Sequence, residues 1–148
     1  MTEVVTLRTL IVDDEPLEVE RMQLMCAAHP AIRLIGTAND GGTALRLIEA
    51  ISPDLILLDI AMPEVDGIEV ANQIAARGGA MPAIIFVTAF DRFAIEAFDL
   101  EAVDYLLKPV TADRLARAIE RVIERRSGKP PESSKSDYTQ EFWVPYRS

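Results

Sequence analysis

Asp13-Asp14, Asp59, Thr88 and Lys108 each stand at or just past the end of a short apolar run, in that order along the chain. The runs are Leu7–Val12, Leu55–Leu58, 83–87 and 103–107, each rich in Leu, Ile or Val as strands buried on both faces should be. Three carboxylates gathered at one place repel each other, and a hard, oxygen-seeking cation such as Mg2+ relieves that repulsion. With the charge neutralised, one carboxylate can attack a phosphoryl group, because phosphoryl transfer depends chiefly on positioning and charge balance. Asp59 is the candidate nucleophile, with the Lys108 ammonium and the Thr88 hydroxyl as partners for the phosphoryl oxygens.

For these residues to meet, the elements carrying them must form one sheet. The pattern predicts strands at 7–12, 32–36, 54–59, 83–88 and 103–107, alternating with helices at 16–29, 42–51, 67–77, 92–99 and 112–126. Pro16 suits a first helical turn, Thr111 can cap the last helix, and Gly36, Gly41-Gly42 and Gly78-Gly79 are read as turns. Such alternation implies an α/β fold, a doubly wound five-stranded parallel sheet with helices on both faces. The expected order is 2-1-3-4-5, which makes strands 1 and 3 neighbours and sets Asp13, Asp14 and Asp59 side by side beyond the strands' carboxyl ends.

Helix 112–126 gathers Leu115, Ile119, Val122 and Ile123 on one arc and Arg114, Arg117, Arg121 and Arg125 on the other, so its basic stripe is expected to face outward. The preceding segment is acidic, including Asp99 and Asp104. Two copies could therefore pair acid to base, with Asp99, Asp104, Arg114, Arg117 and Arg121 at a two-fold interface.

The 148 residues are about one domain long, and 49% apolar residues can fill a core. No apolar stretch approaches the roughly 20 residues of a bilayer span, and the N-terminus lacks a secretory pattern, so a cytoplasmic protein without membrane contact is expected. Cys26 is the only cysteine and reads as a small core residue. Residues 1–126 hold 21 acidic and 12 basic side chains, a balance that argues against direct DNA binding by this chain alone. After Arg126 the composition turns polar. Residues 1–126 are thus read as one domain, 127–140 as a linker, and 141–148, with the only tryptophan, as a separate stub.

The motifs Val12-Asp-Asp-Glu, Leu58-Asp-Ile-Ala-Met-Pro63 followed by Asp66-Gly67, Val87-Thr88-Ala89, and Lys108-Pro109 together resemble the receiver domain of response regulators over residues 7–126. The resemblance implies a two-component switch in which a histidine kinase or phosphotransfer protein supplies phosphate to Asp59. By the same resemblance Asp14 binds Mg2+ directly, Asp13 holds it through water, and the carbonyl of Ala61 completes the protein ligands. Thr88 and Lys108 are then the switch hydroxyl and phosphate-sensing lysine, Lys108-Pro109 is cis, and Tyr105 is the switch aromatic. Residues 93–109 resemble the receivers of LytTR-type transcription regulators, and 142–147 the start of their DNA-binding domain, which implies dimerisation through the fourth and fifth helices and fifth strand and a DNA output mostly outside this chain. Ala61 and Phe90 fall at variable rim positions.

Plainer readings stand beside these. Asn39-Asp-Gly-Gly42 lacks the phosphate-loop pattern and reads as a turn, His29 has no partner at zinc spacing, Met22 and Met25 read as core, and Leu17 and Leu24 as partly exposed. Two other functions use overlapping residues. Mg2+-dependent phosphohydrolases of the haloacid-dehalogenase type, which also work through an aspartyl phosphate, place a second aspartate where Ala61 stands, and a dimerisation module independent of phosphorylation would not need the pocket. A switch rather than a turnover enzyme is the reading adopted.

Overall fold

The computed structural model describes residues 5–128. The linker read at 127–140, apart from residues 127 and 128, and the stub read at 141–148 lie outside the described residues. Five strands and five helices alternate: β1 (Leu7–Val12), α1 (Pro16–Ala27), β2 (Ile32–Ala38), α2 (Gly41–Ile51), β3 (Leu55–Leu58), α3 (Gly67–Arg77), β4 (Ala83–Thr88), α4 (Ala94–Asp99), β5 (Asp104–Leu107) and α5 (Ala112–Arg126). All pairings are parallel, in the order β2-β1-β3-β4-β5.

The strands read as unbroken apolar runs because helices cover both faces of the sheet. Ile56 and Leu58 point into a core shared with α2, α3 and α4, through Ile48, Val70, Ile74 and Ala97. Leu55 and Leu57 point into the opposite core, against Met22 and Cys26 of α1 and Leu115, Ile119 and Val122 of α5. Each such aliphatic side chain taken out of water contributes roughly 1.5–3 kcal/mol. Leu17 and Leu24 of α1 stand exposed, and Met25 packs at the edge of the second core.

Local chemistry sets the helix ends. Pro16 occupies the first turn of α1, and Asp40, Asp66 and Thr111 accept hydrogen bonds from the backbone amides of Thr43, Glu69 and Arg114 to cap α2, α3 and α5. At the far end of α2, Ser52 adopts a left-handed conformation (φ 46°), and the Arg8 guanidinium donates to the carbonyls of Ile51 (2.6 Å) and Ser52 (2.7 Å). His29 lies just past α1, where its Nδ1 accepts from the amide of Ala31 (3.1 Å).

Four expectations need correction. Gly41 and Gly42, read as a turn, are the first two residues of α2, behind the Asp40 cap. Gly36 is not a turn but lies within β2, opposite Leu10, where the β1–β2 register shifts; the strand continues to Ala38 because its amide partners on β1 do. Helix α4 starts at Ala94 rather than at 92, and the Arg92 guanidinium instead lies 4.5 and 4.7 Å from the ring centroids of Phe90 and Phe93. The basic stripe of α5 does not face water throughout. Arg121 is buried at 5% exposure and pairs with Asp104, which is wholly buried at the start of β5. Arg114 closes the same group, donating from Nη1 and Nη2 to Asp104 Oδ2 (2.9 Å) and Oδ1 (2.8 Å). An aspartate beneath a helix draws the nearest guanidiniums inward, since a buried charge requires a paired, hydrogen-bonded partner. Asp104 and Arg121 are therefore part of the fold's interior, not of an outward surface; Asp99 and Arg117 remain exposed.

Candidate functional site

The carboxyl ends of the strands are tied together by backbone hydrogen bonds. The amide of Asp13 donates to the carbonyl of Ala38 (3.0 Å), that of Asp59 to Val12 (2.9 Å), and that of Lys108 to Thr88 (2.8 Å). The residues following β1, β3 and β5 thus share one edge, beside the buried Thr88 that ends β4. One oxygen from each of Asp13, Asp14 and Asp59 falls within 4.8 Å of the others. The trio anticipated from residues 46 positions apart does converge.

Lys108 reaches across to this trio. Its Nζ lies 2.9 Å from Asp13 Oδ2, 3.1 Å from Glu15 Oε1 and 3.4 Å from Asp59 Oδ2. The peptide bond between Lys108 and Pro109 is cis. Burial pushes the Asp59 carboxyl up to about 7, the charge on Asp13 adds to it, and Lys108 opposes both. Burial would lower Lys108, but its hydrogen bond to Asp13 and the charges of Asp59 and Asp13 outweigh it, and the ammonium is held above the ordinary lysine value.

The donor set suits a hard divalent cation. Asp59 is only 3% exposed, and its Oδ1 is the one buried side-chain polar atom without a hydrogen-bond partner among the described residues. An anionic oxygen in that state calls for a cation or a donor, and carboxylate oxygens are what Mg2+ prefers. Asp13, Asp14 and Asp59 are the residues that would hold it. Ala61, two positions after Asp59, is exposed.

Two glycines bring the backbone close enough for this edge to form. A Cβ on Gly67 would lie 2.2 Å from the carbonyl oxygen of Asp59, and one on Gly41 would lie 2.4 Å from that of Val65. Helix α3 can therefore abut the loop carrying Asp59 only if its first residue has no side chain. The Gly67 amide donates to the carbonyl of Ile60 (2.9 Å), fixing the turn.

On the other side, Thr88 Oγ1 accepts from the amide of Phe90 (3.3 Å), and the Tyr105 hydroxyl donates to the Phe90 carbonyl. Tyr105 is thus turned inward, 2% exposed, with its ring 6.5 Å from that of Phe86. Sequence reasoning missed Glu15 as a partner of Lys108, and Gly67 as a packing neighbour of Asp59. For Glu15, an unusual residue type at a helix N-cap was the available signal.

Comparisons with known proteins agree with this geometry. The family model described as "Response regulator receiver domain" matches residues 9–120. The chain is 44% identical over 137 residues to the positive alginate biosynthesis regulatory protein of Pseudomonas aeruginosa, covering 88% of this chain and 55% of that one. It is 36% identical over 121 residues to the transcriptional regulatory protein BtsR of Salmonella typhi, covering 82% and 50%. The chain spans about half the length of the curated relatives it matches. Among solved structures, the response regulatory domain of mrkE from Klebsiella pneumoniae superposes with a TM-score of 0.75 at 31% identity, covering 82% of this chain and 99% of that one. With the parallel sheet, the acidic trio and the facing lysine already in place, the chain belongs to the response regulator receiver domain family.

Proposed function

We propose that this receiver domain is a phosphorylation-driven switch in which Asp59 accepts a phosphoryl group from the phosphohistidine of a histidine kinase or phosphotransfer protein. The convergence of Asp13, Asp14 and Asp59 within 4.8 Å, with Lys108 against them, carries the reading. An Asp59 carboxylate oxygen attacks phosphorus, the bond from phosphorus to the donor nitrogen breaks, and its electron pair leaves with the imidazole. Asp14, Asp59 and the carbonyl of Ala61, with Asp13 through water, would hold Mg2+, whose charge would offset that on the transferring oxygens. Lys108 offsets further charge at one phosphoryl oxygen, and the Thr88 hydroxyl donates to another.

Readout would run through the hydrogen bonds already described. Moving the Thr88 hydroxyl to a phosphoryl oxygen withdraws it from the Phe90 amide, the residue whose carbonyl receives the Tyr105 hydroxyl. The affected surface is that of α4, β5 and α5, where Ile95, Phe98 and Leu107 are exposed alongside Asp99 and Arg117. Association of two copies through this surface, in the cytoplasm, would pass the signal to a DNA-binding output domain of LytTR type. The regulatory names of the relatives support a transcriptional output.

Incubation of the chain with Mg2+ and a small phosphodonor should add one phosphoryl mass, which Asp59→Asn abolishes while leaving the fold intact. A folded protein that takes no phosphoryl group, or a modification that survives Asp59→Asn, overturns the proposal. Sizing with and without the phosphoryl group tests the dimer.

A further inference from the structure

Glu15 breaks a local rule. It occupies the N-cap of α1, directly before Pro16, where Ser, Thr, Asp or Asn would satisfy a free amide, and its side chain makes no capping bond. Its carboxylate instead crosses to the loop after β5 and meets Lys108 Nζ at 3.1 Å, 93 residues away in sequence. The backbone orients it: the Glu15 amide donates to Asp13 Oδ1 (2.9 Å), one of the three cation-holding side chains. Lys108 therefore has three carboxylate partners of two kinds. Asp13 and Asp59 belong to the acidic trio, whereas Glu15 lies outside it, with a side chain 63% exposed at the rim.

These partners respond differently when a phosphoryl group arrives. A cation held by the trio would take up the charge of Asp13 and Asp59, leaving Glu15 as the carboxylate that competes for the ammonium. An incoming phosphoryl group must displace it, and also meets a negative charge at the entrance. We propose that Glu15 is a competing counter-ion for Lys108, a positioning residue that holds the ammonium at the rim and sets how strongly the site takes a phosphoryl group. The inference rests on the phosphoacceptor reading of Asp59. It gives a physical reason for a glutamate at an N-cap where its side chain makes no capping hydrogen bond.

Beryllium fluoride, which mimics a phosphoryl group on a carboxylate, provides a readout that needs no turnover. The full chain in saturating Mg2+ is titrated with it and followed by 19F NMR, alongside Glu15→Gln and Glu15→Asp. Removing one exposed charge a few ångströms from the phosphoryl position should lower the half-saturating concentration for Glu15→Gln roughly three- to tenfold at low salt. The gain should shrink in concentrated salt, because Glu15 is solvated. The urea midpoint of Glu15→Gln should stay near that of the unaltered protein, since no cap is lost, which separates this role from a structural one. Glu15→Asp is one methylene shorter and fit to cap α1; it should show part of the gain together with a higher urea midpoint.

Equal half-saturation for the unaltered chain and Glu15→Gln overturns the counter-ion role while leaving the phosphoacceptor reading standing. A gain with Gln but none with Asp would mean that charge near the entrance matters rather than contact with Lys108, and overturns it too. Failure of the unaltered folded chain to bind beryllium fluoride overturns both readings together.

Discussion

Replacing Asp59 by asparagine is expected to stabilise the metal-free protein, although it removes the central group of the site. In the fold, burial first and the Asp13 charge second raise the Asp59 carboxyl from 3.8 to about 7 against the pull of Lys108. A group whose proton is held more tightly folded than unfolded supports the fold below its unfolded value, and that support is lost as pH rises through its folded value. Stability of the unaltered protein in chelator should thus fall between about pH 4 and pH 7. The distance from 3.8 to about 7 corresponds to about 4 kcal/mol unscreened. Water reaching the open rim beside Glu15 screens part of this, leaving about 2 kcal/mol. Asparagine keeps the shape and cannot ionise, and Lys108 retains Asp13 and Glu15. Urea unfolding followed by circular dichroism at pH 5 and pH 8 in chelator measures the difference. Asp59→Asn should be about 2 kcal/mol more stable at pH 8, and the difference should narrow at pH 5. Added Mg2+ should raise the stability of the unaltered protein more than that of the variant, since binding to the folded state adds its own free energy. An asparagine variant that is less stable at pH 8, or one equally shifted at both pH values, would refute the claim that ionised Asp59 destabilises the fold when chelator keeps the cation away.

Asp104→Ala removes the buried carboxylate shared by Arg121 and Arg114 and should cost about 3 kcal/mol or more in urea unfolding, far beyond what a surface dimer contact would register in a monomer. Tyr105→Phe removes the hydroxyl that donates to the Phe90 carbonyl and should cost about 1 kcal/mol, while the extent of phosphodonor labelling by mass spectrometry stays unchanged. Gly67→Ala places a methyl group 2.2 Å from the Asp59 carbonyl oxygen, so both the urea midpoint and the labelling rate should fall; normal labelling would show that the Asp59 loop yields without consequence.

The reading of β3 shows why so much of the fold was legible. Leu55–Leu58 is apolar at every position because its side chains enter two cores, and that pattern, followed by Asp59, marks a buried strand with its exit at the ligand edge. Asp13, Asp14, Thr88 and Lys108 were marked by occurring together, in order, after successive apolar strands, since any one of them alone is an ordinary strand-end, turn or cap residue. The reading of α5 shows the limit. Helical periodicity sorts Arg121 onto a polar arc with Arg114 and Arg117, and nothing local distinguishes it from them.

What separates those arginines is Asp104, ten and seventeen positions before Arg114 and Arg121, brought beneath the helix by the way β5 joins the sheet. Glu15 and Lys108 meet for the same reason, across 93 residues of chain. Hydrophobic period and turn chemistry are properties of neighbours in sequence, so the element order, the expected sheet order and the candidate residues at the strands' carboxyl ends could be read from the chain alone. The partner of a charged group depends on which side chains the sheet order sets within a few ångströms, and the cost of burying a charge alone then selects among them. For Arg121, Tyr105 and Glu15 that choice was made in three dimensions.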